Sequence, residues 1–185
     1  MAVQPESVVA ALWPTGGGSQ NQLFAVLDGA RNEGIYAAVA TSGCEFECLY
    51  RGKLEPDLAE VAPYLVKLQH DHPFTYWLAG NGWGDSWGIY LQSPASLKDV
   101  RQHLRKFLMV YDPDAKPLYF RYYDPRVLRV YLPTCNAEEL QKMFGPVQSY
   151  LVENEDGTQV LRFSADAQSL QTQATALQAE QPGRR

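Results

Sequence analysis

The chain has 185 residues, of which 45% are hydrophobic and 20% are charged, a composition typical of a globular protein with one substantial core. A run of about 18 apolar residues is missing, and no basic segment followed by an apolar one opens the chain, which argues against a membrane span and a secretory signal. Cys44, Cys48 and Cys135 are an odd number without a disulfide-scaffold pattern. We therefore expect a cytoplasmic protein.

The net charge of -5 is unevenly distributed along the chain. Residues 98–129 contain eight lysines or arginines against four aspartates, so this part carries +4 and the remainder -9. A positive zone on an acidic protein indicates an anionic partner surface. Nucleic acid is the weaker candidate, because a dedicated nucleic-acid-binding domain is usually basic as a whole.

Residues 1–22 form an N-terminal extension that contains a glycine-rich turn at 16–18. A phosphate-binding loop does not fit these glycines, because no Gly-Lys-Ser/Thr follows and the next predicted element is a strand. That strand, residues 23–27, is continuously apolar, and we expect it to be buried on both faces. Two further elements follow it: a short helix at 32–40 and an alternating strand at 44–50.

Cys44 and Cys48 lie four residues apart on the last of these strands, too far from each other for a disulfide, and we expect them to be small core residues. A zinc site that combines them with His70 and His72 is the alternative. The spacing of these residues matches no closed tetrahedral motif. We therefore expect neither a metal nor another cofactor.

The middle of the chain predicts a strand at 62–68, a helix beginning near Phe74 and a strand at 87–91. The glycine-rich turn between the last two contains Trp83 and Trp87. These tryptophans either pack internally or form a contact surface, since aromatic side chains supply much of the energy of protein interfaces.

The same turn contains G-D-S-W-G at residues 84–88, which matches the G-x-S-x-G pattern of serine hydrolases with Ser86 as the nucleophile. The context argues against this interpretation. A nucleophile elbow needs a strand before the serine and a helix after it, whereas here a helix precedes and a strand follows. The order of that fold also leaves His103 as the one downstream histidine. A serine hydrolase is therefore the alternative function, and we expect no enzymatic activity.

Residues 96–109 show the clearest helical pattern, with Ser96 as the N-cap and Asp99 in the capping-box position. The polar face of this helix is basic. Its cations are Lys98, Arg101, Arg105 and Lys106. A face of this kind is usually solvated surface, and its other role would be to meet an anionic partner.

Residues 117–133 are exceptionally rich in aromatic and arginine side chains. Alternation predicts a strand at 118–123, with Leu118, Phe120 and Tyr122 on the core face and Tyr119, Arg121 and Tyr123 on the other. Asp124 and Pro125 then predict the N-cap and first residue of a short helix. Either Asp124 or another acidic side chain of this domain pairs with Arg126, which we favour, or Arg126 and Arg129, at i and i+3 spacing, present their guanidinium groups to a partner.

The last third of the chain predicts a helix capped by Asn136 and a hairpin of strands at 150–153 and 160–163. From residue 165 the chain is rich in glutamine and alanine, which predicts a weak helix or a disordered tail. The whole pattern predicts an α/β fold of mixed α+β character. It has a central mixed sheet with flanking short helices, one or two lobes dividing near residue 93, a C-terminal hairpin and a weakly ordered tail.

Six segments occur along the chain in a distinctive order. They are L-F-A-V-L-D-G-A-R at 23–31, A-P-Y-L-V-K-L at 62–68, G-W-G-D-S-W-G-I-Y-L at 82–91, S-L-K-D-V-R-Q-H-L-R-K-F-L at 96–108, L-Y-F-R-Y-Y-D-P-R-V-L-R-V-Y-L-P at 118–133 and F-G-P-V at 144–147. With these segments the chain resembles the type VI secretion effector chaperones, or adaptors, a family long catalogued as a domain of unknown function. The resemblance places the effector-chaperone domain at 23–164, between the extension at 1–22 and the tail at 165–185.

The resemblance implies a non-enzymatic, cytoplasmic bacterial protein that binds a cognate toxic effector, usually encoded by an adjacent gene. The protein would stabilise the effector and promote its loading onto a spike protein of the VgrG type, without binding nucleic acid or inserting stably into a membrane. The family does not identify the contact residues, so we predict them from residue chemistry. The candidate partner-binding residues are Trp83, Trp87, Arg101, Arg105, Tyr123, Arg126 and Arg129.

Overall fold

The computed structural model describes residues 3–13, 21–111, 114–166 and 169–180. Its α-helices are α1 (Pro5–Leu12), α2 (Gly34–Thr41), α3 (Pro56–Glu60), α4 (Pro73–Gly82), α5 (Leu97–Leu104), α6 (Pro125–Tyr131) and α7 (Ala137–Phe144). Its strands are β1 (Gln22–Asp28), β2 (Phe46–Cys48), β3 (Pro63–Leu68), β4 (Gly88–Ser93), β5 (Met109–Tyr111), β6 (Pro117–Tyr119), β7 (Ser149–Glu153), β8 (Gln159–Ala165) and β9 (Leu170–Ala176). The predicted glycine-rich turn at 16–18 lies outside the described residues.

Seven strands form one sheet in the order β2-β3-β1-β4-β7-β8-β9. The α/β fold class is therefore confirmed, but every pairing in this sheet is antiparallel, so its strand directions are not mixed as predicted. Five residues separate β7 from β8 and four separate β8 from β9, and connections this short join antiparallel neighbours. β4 pairs with both β1 and β7, so one sheet includes strands from before and after residue 93.

The sheet carries a layer of helices on each face, and each layer packs on the sheet in its own apolar cluster. The side chains of β1 enter these two clusters alternately. Leu23, Ala25 and Leu27 join the cluster that contains α1, α2 and α4. Phe24 and Val26 join the cluster that contains α5, α6 and α7. β1 is thus buried on both faces as predicted, and each large aliphatic side chain buried this way contributes about 1.5–3 kcal/mol. In the described part of the chain, no helix has the length and apolar character needed to cross a bilayer.

Three helices begin at the caps that the sequence predicts. Ser96 accepts a hydrogen bond from the backbone N–H of Asp99, and Asn136 forms a reciprocal capping box with Glu139. Asp124 accepts a hydrogen bond from the backbone N–H at the start of α6. Each such cap stabilises its helix by about 1 kcal/mol.

Two predicted elements are shorter than their patterns suggest. The helix expected over 96–109 ends at Leu104, continues as a single 3₁₀ turn and gives way to β5. The strand expected over 44–50 is formed only at β2, where Phe46 is exposed. In both cases the apolar pattern of the sequence extends beyond the residues whose backbone forms the regular element.

The strand predicted at 118–123 is formed only as far as β6. The last backbone hydrogen bond of this strand is donated by Phe120, and a turn then carries Tyr122 and Tyr123 into the core. Tyr122 lies inside as expected, whereas Leu118 is exposed and Tyr123, predicted on the outer face, is buried. The turn after Phe120 breaks the alternation, because it rotates the following side chains out of the strand register.

The tail predicted as a weak helix or disorder instead forms β9, which pairs along its whole length with β8. The side chains of β9 are mostly exposed and uncharged, so the apolar alternation that usually marks a strand is missing from its sequence. Backbone pairing at the edge of the sheet holds the strand in place. Beyond it, Gln178 accepts a hydrogen bond from the backbone N–H of Gln4, and Val3 forms a bridge with Ala179.

Candidate partner-binding site

β5 and β6 form a two-stranded ribbon that is separate from the main sheet. All residues of both strands are exposed, including Met109, Val110 and Leu118. Tyr111 is 71% exposed and Tyr119 is 70% exposed, which is unusual for such large side chains. An exposed apolar element of this kind is typical of a protein interaction surface.

A groove of about 750 Å³ opens between this ribbon, the end of α5 and the segment that joins β2 to α3. Its aliphatic lining residues are Leu49, Leu54, Leu58, Leu108 and Met109. Its aromatic lining residues are Tyr50, Tyr111 and Tyr119, and the ring centroids of Tyr50 and Tyr119 lie 6.4 Å apart. We name this cavity the ribbon groove. Its lining is mainly apolar, as is usual for sites that bind a ligand or a partner segment.

Arg51 and Arg105 line the ribbon groove, and they also line an adjoining recess of about 140 Å³ with Gln102 and Lys106. Burial lowers the pKa of the Arg105 guanidinium, and the positive charges of Arg101 and Arg51 lower it further. No carboxylate lines either cavity in the described ranges. The groove is therefore an apolar surface with a positively charged end.

Arg101, a predicted partner-binding residue, instead anchors α5 to the sheet. Its Nε atom donates a hydrogen bond to the backbone oxygen of Cys48 at 2.7 Å and lies 3.5 Å from a carboxylate oxygen of Glu47. The second predicted residue on this helix face, Arg105, is the one that reaches the groove. The basic face of residues 96–109 thus divides between a structural contact and the candidate site.

Every residue that lines the ribbon groove falls between positions 49 and 119. A family described as a domain of unknown function, DUF4123, has a model that matches residues 23–142. The chain belongs to the DUF4123 family. No curated protein and no solved structure matches it. The DUF4123 match contains the whole groove and ends within α7, so β7, β8 and β9 lie beyond it.

The two tryptophans of the DUF4123 region that were predicted to contact a partner lie away from the groove lining. Trp87 is buried and packs against Trp77, with ring centroids 5.5 Å apart. Trp83 is half-buried and donates a hydrogen bond from its Nε1 atom to the backbone oxygen of Gly157 at 2.8 Å. Both therefore take the internal packing role that the sequence left open.

Ser86 lies in the turn between α4 and β4, so the order of helix and strand is the one expected from the sequence. Its hydroxyl donates a hydrogen bond to Glu153 at 3.1 Å, and its backbone N–H and that of Gly84 bond to the same carboxylate. Burial raises the pKa of Glu153, and these hydrogen bonds only partly oppose that effect. His103 makes its hydrogen bond with the backbone oxygen of Met143, at 2.8 Å, and not with Ser86.

The arginines of residues 117–133 are held by acidic partners and backbone oxygens inside the domain. Arg126 forms an ion pair with Asp124 at 2.6 Å, and Arg129 donates a hydrogen bond to the backbone oxygen of Glu153 at 3.0 Å. Burial acts to raise the pKa of Asp124, but the hydrogen bonds and charge of Arg126 outweigh it and lower that pKa. The internal carboxylate pairing that we favoured is therefore present at Arg126, whereas Arg129 bonds to a backbone oxygen.

Two further residues of the segment at 117–133, Arg121 and Tyr123, also make contacts inside the domain. Tyr123, predicted to contact a partner, is only 5% exposed and lies in the core. Arg121 forms an ion pair with Asp28, which is almost fully buried and also accepts a hydrogen bond from the backbone N–H of Ala30. The side-chain hydrogen bond with Asp28 raises the pKa of Arg121.

The residues considered for zinc do not form a ligand cluster in the structure. The Cys44 sulfur lies 3.7 Å from His72 Nδ1, and that nitrogen accepts the capping hydrogen bond from Phe74. No group of three or more His, Cys, Asp or Glu side chains suited to a metal occurs in the part of the chain that the structure describes.

Of the seven predicted contact residues, Arg105 alone lines the ribbon groove. The sequence analysis missed Tyr50, Arg51, Tyr111 and Tyr119, which come from segments separated by more than fifty residues. The positive zone includes Arg105, which lines the groove, but residue spacing along the chain does not show which distant segment lies beside it. Tyr111 and Tyr119 lie on either side of a segment rich in aspartate and proline at 112–117, and this was the available signal for an exposed ribbon.

Proposed function

We propose that this protein is a chaperone or adaptor that binds a cognate type VI secretion effector, stabilises it and promotes its loading onto a spike protein of the VgrG type. It acts by binding, in the cytoplasm, and carries out no chemical step. The segments at 23–31, 82–91 and 118–133 support this proposal, because they carry the resemblance to the effector chaperones.

One structural observation supports the proposal most strongly: the exposed ribbon beside the ribbon groove. Tyr111 and Tyr119 expose about 70% of their surface and carry large apolar areas that a partner could cover. Aromatic side chains at the centre of an interface commonly contribute 2 kcal/mol or more to binding, roughly 30-fold in affinity. The serine hydrolase alternative has no comparable support, because the Ser86 hydroxyl is bonded to Glu153.

Co-expression of this chain with the effector encoded beside it tests the proposal. We expect the wild-type chain and the effector to elute together from a size-exclusion column. A double variant, Tyr111→Ser with Tyr119→Ser, should lower the affinity for the purified effector by about tenfold or more, because both aromatic anchors are lost. Isothermal titration calorimetry measures this change.

Val130→Ser is the matched control, because Val130 is also 70% exposed but lies on α6, away from the groove lining. This variant should bind the effector as the wild type does, and the ribbon variant should keep the thermal midpoint of the wild type. A wild-type chain that never co-elutes with the effector would refute the proposed function. An equal loss of affinity in both variants would refute the role of the ribbon.

A further inference from the structure

The ribbon groove joins an apolar compartment directly to a basic one. Leu54, Leu58 and Leu108 line the larger cavity, and Gln102 and Lys106 line the smaller recess. Arg51 and Arg105 line both, so they lie where the two compartments meet. A segment seated in the groove would therefore place apolar side chains beside a pair of guanidinium groups.

In the described part of the chain the cations of the groove have no acidic partner, unlike Arg101, Arg121 and Arg126. The ion pairs of the described residues engage Arg101, Arg121 and Arg126, and none of them includes Arg51, Arg105 or Lys106. The pKa of Arg105 is lowered by burial and by its cationic neighbours, which is the direction expected where like charges are close. An anion that entered the recess would relieve this repulsion.

We propose that the ribbon groove binds one defined kind of occupant: a segment of a protein partner in which large apolar side chains are flanked by aspartate or glutamate. The apolar residues occupy the cavity beside Leu54, Leu58 and Tyr119, and the carboxylates pair with Arg51 and Arg105. Arginine suits this role because its guanidinium fork matches a carboxylate. This inference rests on the proposed function, since it describes which part of the effector the chaperone recognises.

Two fluorescein-labelled peptides with the same apolar centre test this preference. One has acidic ends, D-E-L-L-W-L-E-D, and the other has basic ends, K-R-L-L-W-L-R-K. In fluorescence anisotropy titrations we expect the acidic peptide to bind at least about tenfold more tightly than the basic one. Its affinity should fall as salt rises, because exposed charges are screened.

Variants of the chain locate the binding. Arg51→Glu should reduce the affinity for the acidic peptide by about tenfold or more, and Arg105→Gln should reduce it less, because it removes a charge without reversing it. Lys98→Glu is the matched control, since Lys98 is an exposed cation of α5 that does not line the groove and the charge change equals that of Arg51→Glu. Lys98→Glu should leave the peptide affinity nearly unchanged.

Equal binding of the two peptides, no binding of either, or equal loss in Arg51→Glu and Lys98→Glu would overturn the inference. Tighter binding of a labelled single-stranded oligodeoxynucleotide than of the acidic peptide would also overturn it, in favour of a nucleic acid.

Effector co-elution separates the two proposals. If the wild type and Arg51→Glu bind the effector equally well, the function stands and the acidic segment is wrong, whereas failure of the wild type refutes the function itself.

Discussion

Arginines from one positively charged stretch of the sequence have opposite surroundings in the folded chain. Arg121 and Arg126 face the buried carboxylates of Asp28 and Asp124. Arg105, from the same stretch, lies near Arg51, and no carboxylate among the described residues lines the recess that they share. The comparison shows that a local excess of positive charge does not define a surface, because folding neutralises one part of it and leaves the other available to a partner.

The largest effect on stability is expected where arginines pair with buried carboxylates. Asp28→Ala should lower the free energy of unfolding by about 2 kcal/mol, because it leaves the Ala30 N–H unpaired and removes the partner of Arg121. Urea denaturation followed by circular dichroism measures the change. Asp71→Ala is the control, since Asp71 is 91% exposed and pairs only with the neighbouring His70, and it should cost under about 0.5 kcal/mol. Equal losses would show that the Asp28 pair is not structural.

A smaller, pH-dependent effect is expected at Asp124. The pKa of Asp124 in the folded chain lies below its ordinary value of 3.8, so the charged carboxylate stabilises the fold above that pH. This contribution is lost as pH falls through the folded pKa. Asp124→Asn should therefore cost about 1 kcal/mol at neutral pH and progressively less in acid. Unfolding midpoints of both chains across a pH series test this. A difference that does not shrink below pH 3.8 would contradict the assigned ion pair.

The smallest effect on stability is expected at the groove, where removal of a positive charge should not destabilise the fold. Arg105→Gln should leave stability within about 0.5 kcal/mol of the wild type, or raise it slightly, because it reduces repulsion with Arg51 and Arg101. Arg126→Gln makes the same chemical change at a paired arginine. It should lower the stability of the fold, because Asp124 loses its partner. Thermal midpoints measured together compare the two. The contrast fails if Arg105→Gln destabilises as much as Arg126→Gln.

Much of the fold was predictable because local signals and tertiary contacts agree. The apolar run at 23–27 became the central strand, and the caps at Ser96, Asp124 and Asn136 began helices where the sequence indicated. Capping is predictable because it depends on residues within one turn of each other. Strand pairing depends on distant partners, so the antiparallel direction of the whole sheet did not follow from any single segment.

The ribbon groove was only partly predictable for the same physical reason. Arg105 came from a helical pattern, and helix periodicity shows which side chains share a face. Arg51 and Tyr50 approach it from a segment more than fifty residues earlier. Burial also determines which aromatic residues remain at the surface, and composition does not distinguish Tyr123, which is buried, from Tyr119, which is exposed.

β9 also sets a practical limit on how the chain can be shortened. A protein trimmed after residue 165, where the sequence pattern suggests that order ends, would lose the strand that covers the outer edge of β8. The uncovered edge would present unpaired backbone groups beside Leu161 and Phe163, and exposed strand edges promote aggregation. Poor solubility of such a shortened chain would therefore reflect the lost edge strand rather than an unstable core.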